Sequence, residues 1–594
     1  MRNQMKNGKL EWGVFCLFTC LYIFVSVFHE PWFDEAQAWQ IAKCASFSDI
    51  FFTVPHYEGH PPLWYLLLAI PARLGVPFEI GLKSIGFLIS STSTALILFR
   101  SCLPKPVRLL LPFSFFFFYQ YGVIVRPYGL LLLLLILLGQ DFHYWNTCPA
   151  RVIVILMMLC LTSAYGIVIA GGIAIGLVWD LLQEKGPRKA FGEMFVDHRS
   201  LSLLLLLLLA VVLSLELLPR EDTWITSAEG ENSRVLCFIC AFFTFIGDCF
   251  ITDSPWFSVD TVLLQNAHLS FPYLLLYGAI GIGILFLVVS ISSKRNLKFF
   301  LLPYTLFSLF SAFVYVSAHH VGIAFSILLF WLEIDFRDKE RFEVGRPIIR
   351  ALAKSDRDRR LLFNAGKIIV SACLLIPIYW TISASVREIK LEYSFGRTIA
   401  SFLIENNLDN ALILSSWGEN SSEKYGKRIN NEKYLNTYEN SYSVLVCAYF
   451  DRNICMNLGD GSDQKAFMQF RLADEKTSTE TMKKWAAKGT PELLIGKPKL
   501  EVLYGDKVTG DEFSLVLLPE INYIWKNNNS HGVLPIYLRN DLFESHRLRH
   551  LENMTYGNFY GIPAVTKEIR EQYENGVPAE EIIKPYADAL FGGQ

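Results

Sequence analysis

Apolar residues in this chain come in long blocks rather than in alternation. The blocks 12–28, 61–75, 79–99, 109–123, 127–139, 152–182, 201–218, 234–251, 273–291, 299–317, 320–335 and 361–384 carry few charges. A helix needs about 20 apolar residues to cross about 30 Å of hydrocarbon, so the pattern predicts a polytopic α-helical membrane protein with about 11–13 spans. The block 152–182 is long enough for two short crossings that turn near Ser163–Tyr165. Beyond 384 the pattern changes. Short β-rich stretches at 411–415, 444–450, 493–495 and 513–518 alternate with helix-like ones at 395–406, 464–487 and 565–575. The chain therefore divides into a transmembrane domain, 1–384, and a compact α/β domain, 385–594.

Charge orients the blocks. Arg2, Lys6 and Lys9 precede the first one, and no small-x-small cleavage site follows it, so it reads as an uncleaved anchor with a cytoplasmic N-terminus. Three basic loops mark the cytoplasmic side: Lys185, Arg188, Lys189 and Arg199; Lys294, Arg295 and Lys298; and nine Lys or Arg between 337 and 360. The block 361–384 then runs outward and 385–594 is extracytoplasmic, as for a multi-pass protein of a bacterial plasma membrane. Two places break this order. Three full crossings between His60 and Arg126 would leave Arg126 inside, and a full crossing at 234–251 would put Lys294 outside. One of 61–75 or 109–123, and also 234–251 with its Asp248, is therefore expected to be re-entrant or interfacial.

Composition narrows the class. Of 594 residues, 52% are apolar and only 19% charged, too greasy for an ordinary soluble enzyme. The 54 Lys and Arg against 56 Asp and Glu leave a net charge of −2, with no basic excess to meet nucleic acid. Most of the 12 cysteines fall in or beside apolar blocks, where a thiol acts as a small hydrophobe. Cys447 and Cys455 either pair in an oxidising space or stay free.

The candidate chemistry lies in and around the outer loop 29–60. Asp34 and Glu35 follow the first block directly, and acids beside hydrocarbon are costly enough to suggest function. A solvated loop start or a helix cap is the plain alternative. The loop ends in His56, Glu58 and His60 ahead of Pro61-Pro62-Leu63-Trp64-Tyr65. Arg126-Pro127-Tyr128 opens a later block: a guanidinium there can clamp a phosphate bidentately, or merely snorkel to headgroups. His319 and His320 stand between two blocks, and adjacent histidines on a helix point apart, which disfavours a joint metal site. Gly459-Asp460-Gly461 is a lone triplet without the strand-to-helix setting of a phosphate loop.

The order of anchor, Asp34-Glu35, His60-Pro61-Pro62-Leu63-Trp64-Tyr65 and Arg126-Pro127-Tyr128 resembles the GT-C integral-membrane glycosyltransferases, with the protein O-mannosyltransferases and aminoarabinose transferases nearest. The likeness covers roughly the first 180 residues. It implies a GT-C-like fold and sugar transfer, with inversion, from a polyprenyl-phosphate donor to a glycan, lipid or protein acceptor on the outer face. Asp34 would be the catalytic general base. Glu35 would either position the acceptor or hold a divalent cation, so metal dependence stays open. Arg126, Tyr128, His60, Glu58, His56, His319 and His320 would bind substrate, although His60 stands where some relatives carry a basic residue. The rival reading is a transporter or flippase of lipid-linked sugars, its acids relaying protons or binding substrate.

Overall fold

The computed structural model describes residues 8–193, 195–220, 222–223, 233–252, 271–338, 342–353, 355–420, 434–436, 441–458, 466–468, 470, 475–517 and 519–545. The glycine triplet at 459–461 and the helix expected at 565–575 lie outside them.

Among the described residues, seven helices are long and apolar enough to cross a membrane: Lys9–Phe28, Phe78–Arg100, Pro127–Asn146, Ala164–Lys185, His198–Glu216, Ala318–Asp335 and Asp356–Lys390. These account for seven of the about 11–13 crossings expected. Leu63–Arg73, Pro149–Cys160, Leu275–Ile291 and Lys298–Phe313 are apolar but shorter. Block 152–182 divides as its length predicts. The Ser163 side chain accepts from the Gly166 N–H and starts the second helix, and only glycine fits at 166, because a Cβ there would sit 2.0 Å from the Leu159 carbonyl oxygen.

Polar contacts identify the two ends of the bundle. At one end Lys105 pairs with Glu11, Arg100 and Arg151 with Asp141, and Lys298 with Asp180. At the other, Glu79 holds Arg397 and accepts from the Tyr449 hydroxyl, and Lys43 pairs with Asp451. Leu63–Arg73 stays at this second end, because the Arg73 guanidinium donates to the carbonyls of Ala42 and Ala45. Its 11 residues rise only about 16 Å, half a bilayer. Segment 109–123 is no continuous span either. Helix Lys105–Leu110 gives way to a 3-10 turn at Leu111–Phe113 and a π-turn at Phe116–Val123. Every residue of the π-turn is buried, so neighbouring helices and not lipid surround this irregular backbone.

The expected loop 29–60 is folded into three helices, Phe33–Cys44, Phe47–Phe52 and Val54–Glu58. Asp356–Lys390 runs straight through the expected boundary at 384. Beyond it lies a four-stranded sheet in the order Ile413–Ser415, Leu493–Ile495, Ile536–Arg539, Phe513–Leu517, parallel at the first pair and antiparallel elsewhere. The stretch 444–450, expected as a strand, is instead the end of helix Ser441–Cys447 followed by a turn at 448–450, with Val444, Leu445 and Val446 buried. A short apolar run does not distinguish a strand from a buried helix.

A hairpin of Glu520–Trp525 and Asn528–Val533 reaches from this region into the bundle. Lys526 at its tip takes a left-handed φ of 50°. Its ammonium donates to the Asp248 carboxylate (2.8 Å) and to the Asp248 and Thr252 carbonyls, 4.4 Å from the Trp380 ring centroid. Asp248 is thus a buried partner and not an interfacial group reaching water.

Candidate functional site

A cavity of about 520 Å³ opens at the second end of the bundle. Asp34, Glu58, His60, Arg126, Tyr128, His319 and His320 all line it, although they come from four separate stretches of chain. Asp34 stands in the first turn of Phe33–Cys44. Arg126 precedes Pro127 at the start of Pro127–Asp141, where the proline's missing N–H costs nothing. Asp34 Oδ2 and Arg126 Nη1 are 2.6 Å apart. The Asp34 side chain keeps 29% of its surface exposed, so solvent and ligands reach it.

The same Nη1 donates to His319 Nε2 at 3.1 Å, which places the imidazole proton on Nδ1, facing Ser317 Oγ at 2.7 Å. His320 is fixed in the opposite tautomer. Its Nδ1 accepts from the Ser317 N–H, so Nε2 carries the proton and donates to the Tyr128 hydroxyl at 2.6 Å. The Tyr128 hydroxyl, holding a proton in from His320, is left with its own hydrogen to give to a ligand. Trp32 and Tyr128 flank the guanidinium with ring centroids 5.2 and 5.3 Å from its carbon.

Burial raises the Asp34 carboxyl above the ordinary range against the pull of Arg126. Burial also pushes Glu58 up to about 8; the hydrogen bond from Gln37 opposes this and Asp34 adds to it. Burial and the Arg126 charge push His60 down to about 3, leaving a neutral ring. Its Nδ1 is buried and has no partner among the described residues. The wall therefore combines one cation, two carboxyls of raised basicity and neutral imidazoles around a small, mostly apolar space, a setting suited to taking a proton from a bound hydroxyl beside a bound anion. No group of three or more His, Cys, Asp or Glu able to hold a metal ion occurs among the described residues.

Two expected site residues are elsewhere. Glu35 faces away from the cavity and is fully buried: Oε1 accepts from the Val125 N–H (2.7 Å), and Oε2 from the Trp32 N–H (3.1 Å) and His29 Nε2 (3.1 Å). Its assignment to catalysis or to a cation is withdrawn, because both oxygens are already engaged by protein donors. His56 lies outside the cavity wall, its Nδ1 2.7 Å from the Leu218 carbonyl and its Nε2 3.6 Å from Glu216. Sequence reasoning missed Gln37, which lines the cavity and joins Glu58 to the Met468 backbone. Its place three residues after Asp34 in a helix was the available signal. It also missed His29 and Glu388, which nothing in the linear pattern connects.

Neither a family model, nor a characterised protein, nor a solved structure matches this chain.

Proposed function

We propose that the chain is a GT-C-like membrane glycosyltransferase that moves a sugar from a polyprenyl phosphate to an acceptor hydroxyl. The observation that carries this reading is the 2.6 Å approach of Asp34 to Arg126 in the wall of a cavity wide enough for a lipid headgroup. In the proposed step the acceptor oxygen attacks the anomeric carbon and its proton passes to Asp34. The bond from that carbon to the phosphate oxygen breaks, the electron pair leaves with the phosphate, and configuration inverts. Arg126 neutralises the departing phosphate, and the Tyr128 hydroxyl donates to it.

A second cavity of about 490 Å³ supports a lipid donor. Its lining is almost wholly apolar and lies between Ala164–Lys185 and His198–Glu216, the two helices whose other ends, at Ala164–Val168 and Ser214–Leu218, border the polar site. An isoprenoid chain along this seam would deliver its phosphate to Arg126. Orientation follows from charge. Lys185, Lys298 and the segment 342–353, which packs on Ser290 and Ser292, all stand at the end of the bundle opposite the site. In the proposed topology that end and the N-terminus are cytoplasmic, and the site and C-terminal region are extracytoplasmic.

The test incubates membranes containing the protein with a panel of polyprenyl-phosphate sugars and analyses the products by mass. A hexose, pentose or aminosugar gained by a glycan, lipid or protein supports transfer. Movement of intact donor between leaflets of reconstituted vesicles, with no new glycoside, would establish the flippase instead.

A further inference from the structure

A fully buried polar cluster lies behind the cavity and not in it. His29 sits between two carboxylates, with Nδ1 2.8 Å from Glu388 Oε1 and Nε2 3.1 Å from Glu35 Oε2, and all three side chains are sealed from solvent. An ionised carboxylate only accepts, so two such partners require a proton on each ring nitrogen. Glu388 also accepts from the Tyr119 hydroxyl, which belongs to the π-turn leading toward Arg126. Glu35 in turn carries the N–H of Val125, the residue before Arg126. The His29 carbonyl is itself held by Lys83 at 2.7 Å and Arg397 at 3.1 Å, and the Tyr393 ring lies edge-on at 5.2 Å.

We propose that His29 is a positioning residue: as an imidazolium clamped by Glu388, it fixes the Glu35 carboxylate that holds the Val125–Arg126 backbone, and so aims the guanidinium at Asp34. The consequence for transfer rests on the glycosyltransferase reading, whereas the positioning itself does not. The cluster ties four pieces of chain, the first helix's exit, the first turn of Phe33–Cys44, the π-turn and the last turn of Asp356–Lys390, to the orientation of one side chain. Among the described residues, the charged and titratable groups around His29 are Glu35, Glu388 and Tyr393, with Tyr119 behind Glu388 and Lys83 and Arg397 on its carbonyl. The two acids outweigh burial and hold the imidazolium up to about pH 9.

The experiment reads the position of Arg126 directly. Purified full-length protein is treated with phenylglyoxal, and the modification rates of the Arg126 and Arg199 peptides are followed by mass spectrometry. In wild type Arg126 reacts slowly relative to Arg199. In His29→Gln the ratio rises about fivefold, the scale of one lost net hydrogen bond. Raising the pH of wild type through 9 produces the same rise, which His29→Gln no longer shows. If His29→Gln unfolds, seen as faster reaction at Arg199 as well, the milder Glu388→Gln is judged by the same ratio. An unchanged ratio in a folded variant, or no step near pH 9, overturns the proposal. Absence of any sugar transfer by wild type counts against the proposed function and leaves this readout intact.

Discussion

The carboxylates of Asp34 and Glu35, consecutive residues in one helical turn, face opposite surroundings: Asp34 meets Arg126 in the open cavity, and Glu35 meets His29 in the sealed interior. A helix rotates each residue about 100° from the last, which turns these two side chains toward different surroundings. The two acids should therefore fail differently. Asp34→Asn should abolish transfer at unchanged expression and thermal midpoint. Glu35→Gln, by leaving the buried imidazolium short of a partner, should cost about 3–5 kcal/mol of stability. Parallel activity and thermal-unfolding measurements in detergent distinguish them; loss of stability in Asp34→Asn would remove the basis for its separate role.

Arg126→Lys keeps the charge but loses the planar fork. The expected outcome is a donor KM raised by about tenfold or more, since an ammonium has no second nitrogen to grip a phosphate bidentately while the first holds Asp34 and His319. Steady-state kinetics with a short-chain polyprenyl-phosphate sugar checks this, and an unchanged KM would remove Arg126 from donor binding.

Glu58, pushed up to about 8 by burial, binds its proton more tightly in the folded chain than at the ordinary 4.5 of the free side chain. Its favourable contribution is complete below pH 4.5 and is lost as pH rises through 8. Glu58→Gln should flatten the fall in thermal midpoint between pH 5 and pH 8 that wild type shows. A curve parallel to wild type would mean that Glu58 titrates as an exposed acid.

Lys526 enters the bundle as a fully buried cation whose ion-pair partner is Asp248. Lys526→Met strands that carboxylate and should cost about 3–5 kcal/mol, while Lys526→Met with Asp248→Leu should recover at least half of the loss. Detergent thermal midpoints of the three proteins test the pair. Equal loss in single and double variants would show that hairpin packing, through Trp525 on Phe115 and Phe116, matters more than charge.

Much of the fold was legible because long apolar runs with few charges mark the helices directly. The Ser163 turn, the strand at Leu493–Ile495 and the incomplete crossing at Leu63–Arg73 all follow from pattern, capping and charge. What failed were elements whose state depends on neighbours. The run at 444–450 became helix, and 109–123 broke into 3-10 and π turns, because tertiary packing supplied the partners that local propensity did not specify.

For the site, the linear sequence determined which chemistry is present: acids after the first apolar block, an arginine before Pro127, paired histidines between two later blocks. Helical rotation, long-range pairing and burial decided which of these groups meet. They turned Asp34, Glu58, His60, Arg126, Tyr128, His319 and His320 toward one cavity, withdrew Glu35 and His56 from it, and brought Glu388 from the end of the last long helix to His29. Those contacts join residues up to 359 positions apart, and their strength comes from exclusion of water, which no local pattern of residue types encodes.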